Sequence, residues 1–130
     1  MDDDSSISGW GIGVAYNADN YYGAIEYVNI TTDPEDPNTD TTNSYGYYIL
    51  AGGKFSSFDV GLRYDFIDWT DADAAKDYDT EYWVTLAVNY LINDNATLGI
   101  NYVYKQPEEP DGADYPNIDE IAVYMELDLL

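Results

Sequence analysis

Three basic side chains stand inside stretches of alternating apolar residues: Lys54, Arg63 and Lys105. Glu26, Asp59, Asp65, Glu126 and Asp128 occupy the same phase of that alternation, together with the amides Asn89 and Asn101. Opposed charges on one surface can act in two ways. They can pair into salt bridges that tie neighbouring strands together, or they can shape the field felt by a passing solute. Pairing is the ordinary fate of charges held among apolar residues.

A second group of acids lies between such stretches. Asp77, Asp79 and Glu81 are spaced by two, as are Asp71 and Asp73. Oxygen-rich loops of this kind can hold Ca²⁺. No complete EF-hand loop is present, because nothing supplies its central Gly and terminal bidentate Glu. A solvated acidic surface is the plainer reading, one that divalent ions could bridge to anionic lipid. Glu35 with Asp36 and Glu108 with Glu109 could be imagined as acid/base pairs. They sit in Pro-rich loops, without the apolar surroundings that shift a carboxyl pKa, so catalysis is not expected.

Composition narrows the chemistry further. The 130 residues carry 4 Lys and Arg against 26 Asp and Glu, for a net charge of -22. Nucleic acid is not expected as a partner, since phosphate binding needs a basic face. Histidine and cysteine are both absent. That removes His triads and His metal sites, thiolate catalysis, disulfides and structural zinc, and no cofactor is expected. At 45% hydrophobic and 16% aromatic, with 15 Tyr, the chain is too apolar for an acidic disordered segment. No run approaches the roughly 18 apolar residues of a transmembrane helix, and the opening Met1-Asp2-Asp3-Asp4 lacks the basic start of a secretory leader.

The elements that must position the charges are strands. Trp10, Ile12, Val14 and Tyr16 alternate with Gly9, Gly11, Gly13 and Ala15, and a rhythm of two returns six more times. The further strands are expected near Tyr21 to Ile30, Tyr45 to Phe55, Phe58 to Phe66, Tyr82 to Tyr90, Thr97 to Lys105 and Ile121 to Leu129. One face of each is large and apolar. The other is rich in Gly and Ala with scattered charges, unlike the Lys, Glu, Thr and Ser that usually meet water. Such a face suits the inside of a curved barrel. An apolar face with Tyr or Trp near the strand ends suits lipid, and strands of about 9–11 residues suit a tilted crossing of a bilayer.

The connections alternate in length. Asn17 to Asn20, Ser56-Ser57 and Asn93 to Asn95 read as tight turns. Thr31 to Asn43, Thr70 to Thr80 and Gln106 to Asp119 are long and acidic. Outer-membrane barrels alternate in this way, with short periplasmic turns and long extracellular loops. The expected fold is therefore all-β, a single domain forming an antiparallel meander of about seven strands in a transmembrane barrel of the bacterial outer membrane.

Two stretches also resemble a known family. Phe58 to Trp69, FDVGLRYDFIDW, resembles a late strand and exit loop of the phosphate-selective porins of the O and P type, and Trp83 to Lys105, WVTLAVNYLINDNATLGINYVYK, resembles their penultimate hairpin. The resemblance covers roughly residues 45–130, as the C-terminal part of the barrel. It implies a water-filled channel passing small solutes or ions. The family's anion selectivity rests on inward basic residues. Here Lys54, Arg63 and Lys105 face Glu26, Asp59, Asp65, Glu126 and Asp128, so phosphate selectivity is not carried over.

Seven strands is an odd number, whereas bacterial single-chain barrels are normally even. The first and last strands would run in the same direction, so the expectation is a C-terminal segment of a larger barrel. Its edge strands should pair with missing strands of that barrel or with a second copy, possible as a homo-oligomer. The alternatives from other classes are a surface barrel whose acidic loops meet a partner, and a soluble ligand-binding barrel with its apolar residues inside.

Overall fold

In the computed structural model, residues 6–33, 41–68, 80–108 and 117–127 are described. They form the strands β1 (Ser6–Asn17), β2 (Tyr21–Asp33), β3 (Thr42–Phe55), β4 (Phe58–Asp68), β5 (Thr80–Asn93), β6 (Ala96–Glu108) and β7 (Ile118–Leu127). Each pairs antiparallel with its sequence neighbours, giving one open sheet in the order β1-β2-β3-β4-β5-β6-β7. Among the described residues, β1 and β7 are paired on one side only.

The strands overrun the bounds that alternation suggests. β2 continues to Asp33 and β3 starts at Thr42, because the ladder goes on pairing Thr31 with Asn43 and Thr32 with Thr42. The Thr31 hydroxyl donates to Asn43 Oδ1 at 2.8 Å there. Threonine is a good strand former whatever its polarity, so a polar stretch that reads as loop still extends the sheet. β1 likewise begins at Ser6, within a stretch that has little alternation.

The short connections fix the register. Ser56 and Ser57 alone separate β3 from β4, and Ser56 has a φ of 56°. A positive φ at the first loop residue is what a two-residue hairpin needs to match the strand twist. It sets Phe55 opposite Phe58, and hence Lys54 opposite Asp59. At the β5–β6 turn the Asn93 side chain accepts from the Asn95 backbone N–H at 2.9 Å, and the ladder is irregular between Leu91 and Asn93.

No apolar side chain is buried among the described residues. The sheet has an apolar face, and none of the described residues covers it. Ile25 is 51% exposed, Leu62 53% and Ile100 46%, although all three lie well inside the sheet. A water-soluble domain this apolar would hide such residues in a core.

Candidate functional site

The register sorts the strand residues into two continuous faces. Val14, Ile25, Ile49, Tyr64, Val84 and Tyr104 stand side by side across six strands, and Ile12, Tyr27, Tyr47, Phe66, Tyr82 and Gln106 form the next row. Aromatic residues gather at both margins of this face. Toward the long connections, Trp10 lies 5.4 Å from Tyr27, Tyr27 6.0 Å from Tyr45, Tyr47 5.3 Å from Phe66, Tyr64 6.1 Å from Tyr82 and Tyr82 6.3 Å from Tyr104, measured between ring centroids. Toward the short turns, Tyr21 stands 6.0 Å from Phe55 and Phe58 4.9 Å from Tyr90.

Between the two rows the face is aliphatic: Ile12, Val14, Ile25, Ile49, Leu62 and Leu86 are typical. Of the charged strand residues in its phase, Asp33 and Asp68 lie beyond the aromatic row near the long connections, while Asp119 on the edge strand β7 stands opposite Tyr104. Tyr102 and Tyr104 point hydroxyls to polar partners there, Asp119 at 2.6 Å and Gln106 at 2.9 Å. On β4, Phe58 and Phe66 are eight residues apart. At about 3.4 Å per residue that is about 27 Å along the strand, or about 20 Å in height at a tilt near 40°.

The opposite face carries the charges. Of the residues expected to line it, Glu26, Lys54, Asp59, Arg63, Asp65, Asn89, Asn101, Lys105 and Glu126 all share it by register, while Asp128 lies outside the described residues. Shallow depressions open on this side. One of about 330 Å³ is lined by Lys54, Asp59, Asn89, Tyr124 and Glu126, and another by Gly13, Ala24, Glu26 and Tyr48.

The charges are distributed unevenly. Arg63 donates to Asp65 on its own strand, Nε to both carboxylate oxygens at 2.9 Å and a terminal nitrogen to Oδ1 at 2.6 Å. Its guanidinium lies 4.1 Å over the Tyr48 ring, and the Tyr48 hydroxyl donates to Glu26 at 3.3 Å. Lys105 lies 4.3 Å over the Trp83 ring and 3.6 Å from Glu120 on β7. Of the two basic residues in ion pairs among the described residues, then, only Lys105 ties neighbouring strands together. Asp59 accepts from the Tyr22 hydroxyl at 2.7 Å, and Lys54 makes no ion pair among the described residues.

Tyrosines are the component that the sequence pattern conceals. Tyr22 on β2 lies across Gly52 of β3 to reach Asp59 on β4. Tyr124 on β7 lies across Gly99 of β6 to donate to Asn89 on β5. The small residues of this face are therefore partly roofed by rings from the next strand, and each ring links three strands. The signal was available in an aromatic residue standing in the phase otherwise given to Gly and charges.

Of the loop acids considered for Ca²⁺, Asp71, Asp73, Asp77 and Asp79 lie outside the described residues. Glu81 is buried on the polar face, where its carboxylate accepts from the Trp83 indole N–H. No group of three or more acidic side chains suited to a metal occurs among the described residues. Compared with known proteins, the chain matches no family model, no curated protein and no solved structure.

Proposed function

We propose that this chain forms part of the wall of a transmembrane β-barrel in a bacterial outer membrane, and that its polar face lines a water-filled passage for small hydrophilic solutes or ions. The observation that carries the reading is the exposed apolar face: an aliphatic band free of charge on β1 to β6, bordered by aromatic residues on both sides, with no buried core among the described residues. Water disfavours that surface at roughly 25 cal/mol per Å², whereas lipid tails match it. The band's height is close to the roughly 25 Å apolar belt of outer-membrane barrels, with aromatic girdles at both interfaces.

The remaining features agree. Short turns at one end and long acidic connections at the other give the asymmetry of such barrels. The open edges of β1 and β7 are consistent with a wall that continues through further strands, as in a C-terminal segment of a larger barrel. Strands entering and leaving the sheet in the same sense call for an odd number of further strands to keep every pair antiparallel. The likeness of residues 45–130 to phosphate-selective porins points to the same architecture. Transport through such a wall is passive diffusion.

Liposome swelling tests the reading. Vesicles containing the protein should swell in isotonic solutions of small sugars and remain shrunken in a large polysaccharide. A protein that stays monodisperse without detergent and leaves vesicles tight would contradict it, and would favour a soluble barrel.

A further inference from the structure

We propose that the polar face makes this passage prefer cations to anions, with Lys54 as the basic residue on which the preference turns. The inference rests on the channel reading. It follows from what each charged group touches rather than from the net charge of the chain, most of which lies outside the strands.

Six carboxylates occupy the polar face of the described strands: Glu26, Asp59, Asp65, Glu81, Glu120 and Glu126. Three basic groups oppose them. Two of the three are already committed. Arg63 has its Nε and one terminal nitrogen on Asp65 and one flat side against Tyr48. Lys105 is held between the Trp83 ring and Glu120. A carboxylate already offsets the charge of each, so a solute anion meets a neutralised pair rather than a free cation.

The other carboxylates are satisfied differently. Glu26 accepts from a tyrosine hydroxyl, Asp59 from another, and Glu81 from an indole N–H. Neutral donors satisfy these oxygens and leave the negative charge in place. With Glu126, they give the wall a field of one sign. A water-filled passage with low-dielectric walls focuses such a field and enriches counter-ions.

Lys54 is exposed and opposes Asp59 in register, and Asp59 and Glu126 line the same depression. It is therefore the basic group of this face whose charge no carboxylate among the described residues pairs with.

The test is the reversal potential of the reconstituted protein in a planar lipid bilayer separating unequal KCl solutions. Salt is kept near 0.1 M, where the screening length is about 10 Å. The unmodified protein should pass K⁺ several-fold better than Cl⁻. Lys54→Gln should raise that ratio and Glu126→Gln should lower it. The double variant R63Q/D65N, which removes a spent pair, should move it less than Glu126→Gln alone.

Open channels that reverse at zero potential, or on the anion side, would overturn the cation preference and leave the channel reading standing. A ratio more sensitive to R63Q/D65N than to Glu126→Gln would overturn the masking of Arg63. Folded, inserted protein without conductance would overturn both this inference and the channel reading beneath it.

Discussion

Placing a methyl group at Gly52 should unseat Tyr22 and loosen three strands at once. A Cβ there would fall 2.2 Å from Tyr22 Cζ and 2.4 Å from its hydroxyl oxygen, so the ring must leave. When it leaves, its hydrogen bond to Asp59 is lost. A hydrogen bond to a charged group contributes about 1.5–3 kcal/mol. Alanine returns about 0.5–1 kcal/mol over glycine in a strand. Gly52→Ala should therefore destabilise by about 1–2 kcal/mol. Urea unfolding in detergent micelles or vesicles, followed by tryptophan fluorescence, measures this. Tyr22→Phe removes the hydroxyl and keeps the ring, so it should lose a similar amount. The double variant should lose much less than the two single losses combined, because both act through one contact. A neutral or stabilising Gly52→Ala, or strict additivity, would show that the ring does not rest over Gly52.

Three other substitutions probe the faces and the turn. Leu62→Lys places a charge midway between Phe58 and Phe66, and should destabilise the membrane-inserted protein by about 2–4 kcal/mol, as read from urea titration in vesicles. Ala122→Lys on the polar face of the edge strand β7 should change stability by less than about 0.5 kcal/mol in the same assay. Ser56→Gly should stabilise by about 1 kcal/mol, since its φ of 56° suits glycine better, and a higher urea midpoint with an unchanged slope would report it.

The strands and their faces were legible because alternation survives at every position where it matters. Val14, Ile25, Ile49, Tyr64 and Val84 fall into one row through register alone, and each was already in the apolar phase. The two-residue turn at Ser56-Ser57 also makes the opposition of Lys54 and Asp59 calculable from sequence. Other pairings were not. Tyr48 meets Glu26, and Lys105 meets Glu120, only after the chain has passed through long connections whose length says nothing about register. Glu120 was absent from the residues expected on this face because alternation places the start of the last strand at Ile121, whereas β7 begins at Ile118. Tyr22 and Tyr124 were hidden differently: glycines read as bare surface until the ring of a neighbouring strand is laid over them. The strand ends were misjudged wherever Thr and Asn continue the ladder past the aromatic margin.

The most direct test of a lipid-facing sheet compares two tryptophans on opposite faces. Trp10 belongs to the apolar face and is 59% exposed, while Trp83 stands on the polar face beneath Lys105. Two variants would each retain one of them, with the remaining tryptophans replaced by phenylalanine, and would be folded into vesicles of brominated phospholipid. Fluorescence from Trp10 should be strongly quenched, most by bromine placed shallowly in the acyl chains as befits an interfacial aromatic row. Fluorescence from Trp83 should be quenched little. Equal quenching of both, or quenching of Trp83 alone, would contradict the assignment of the apolar face to lipid.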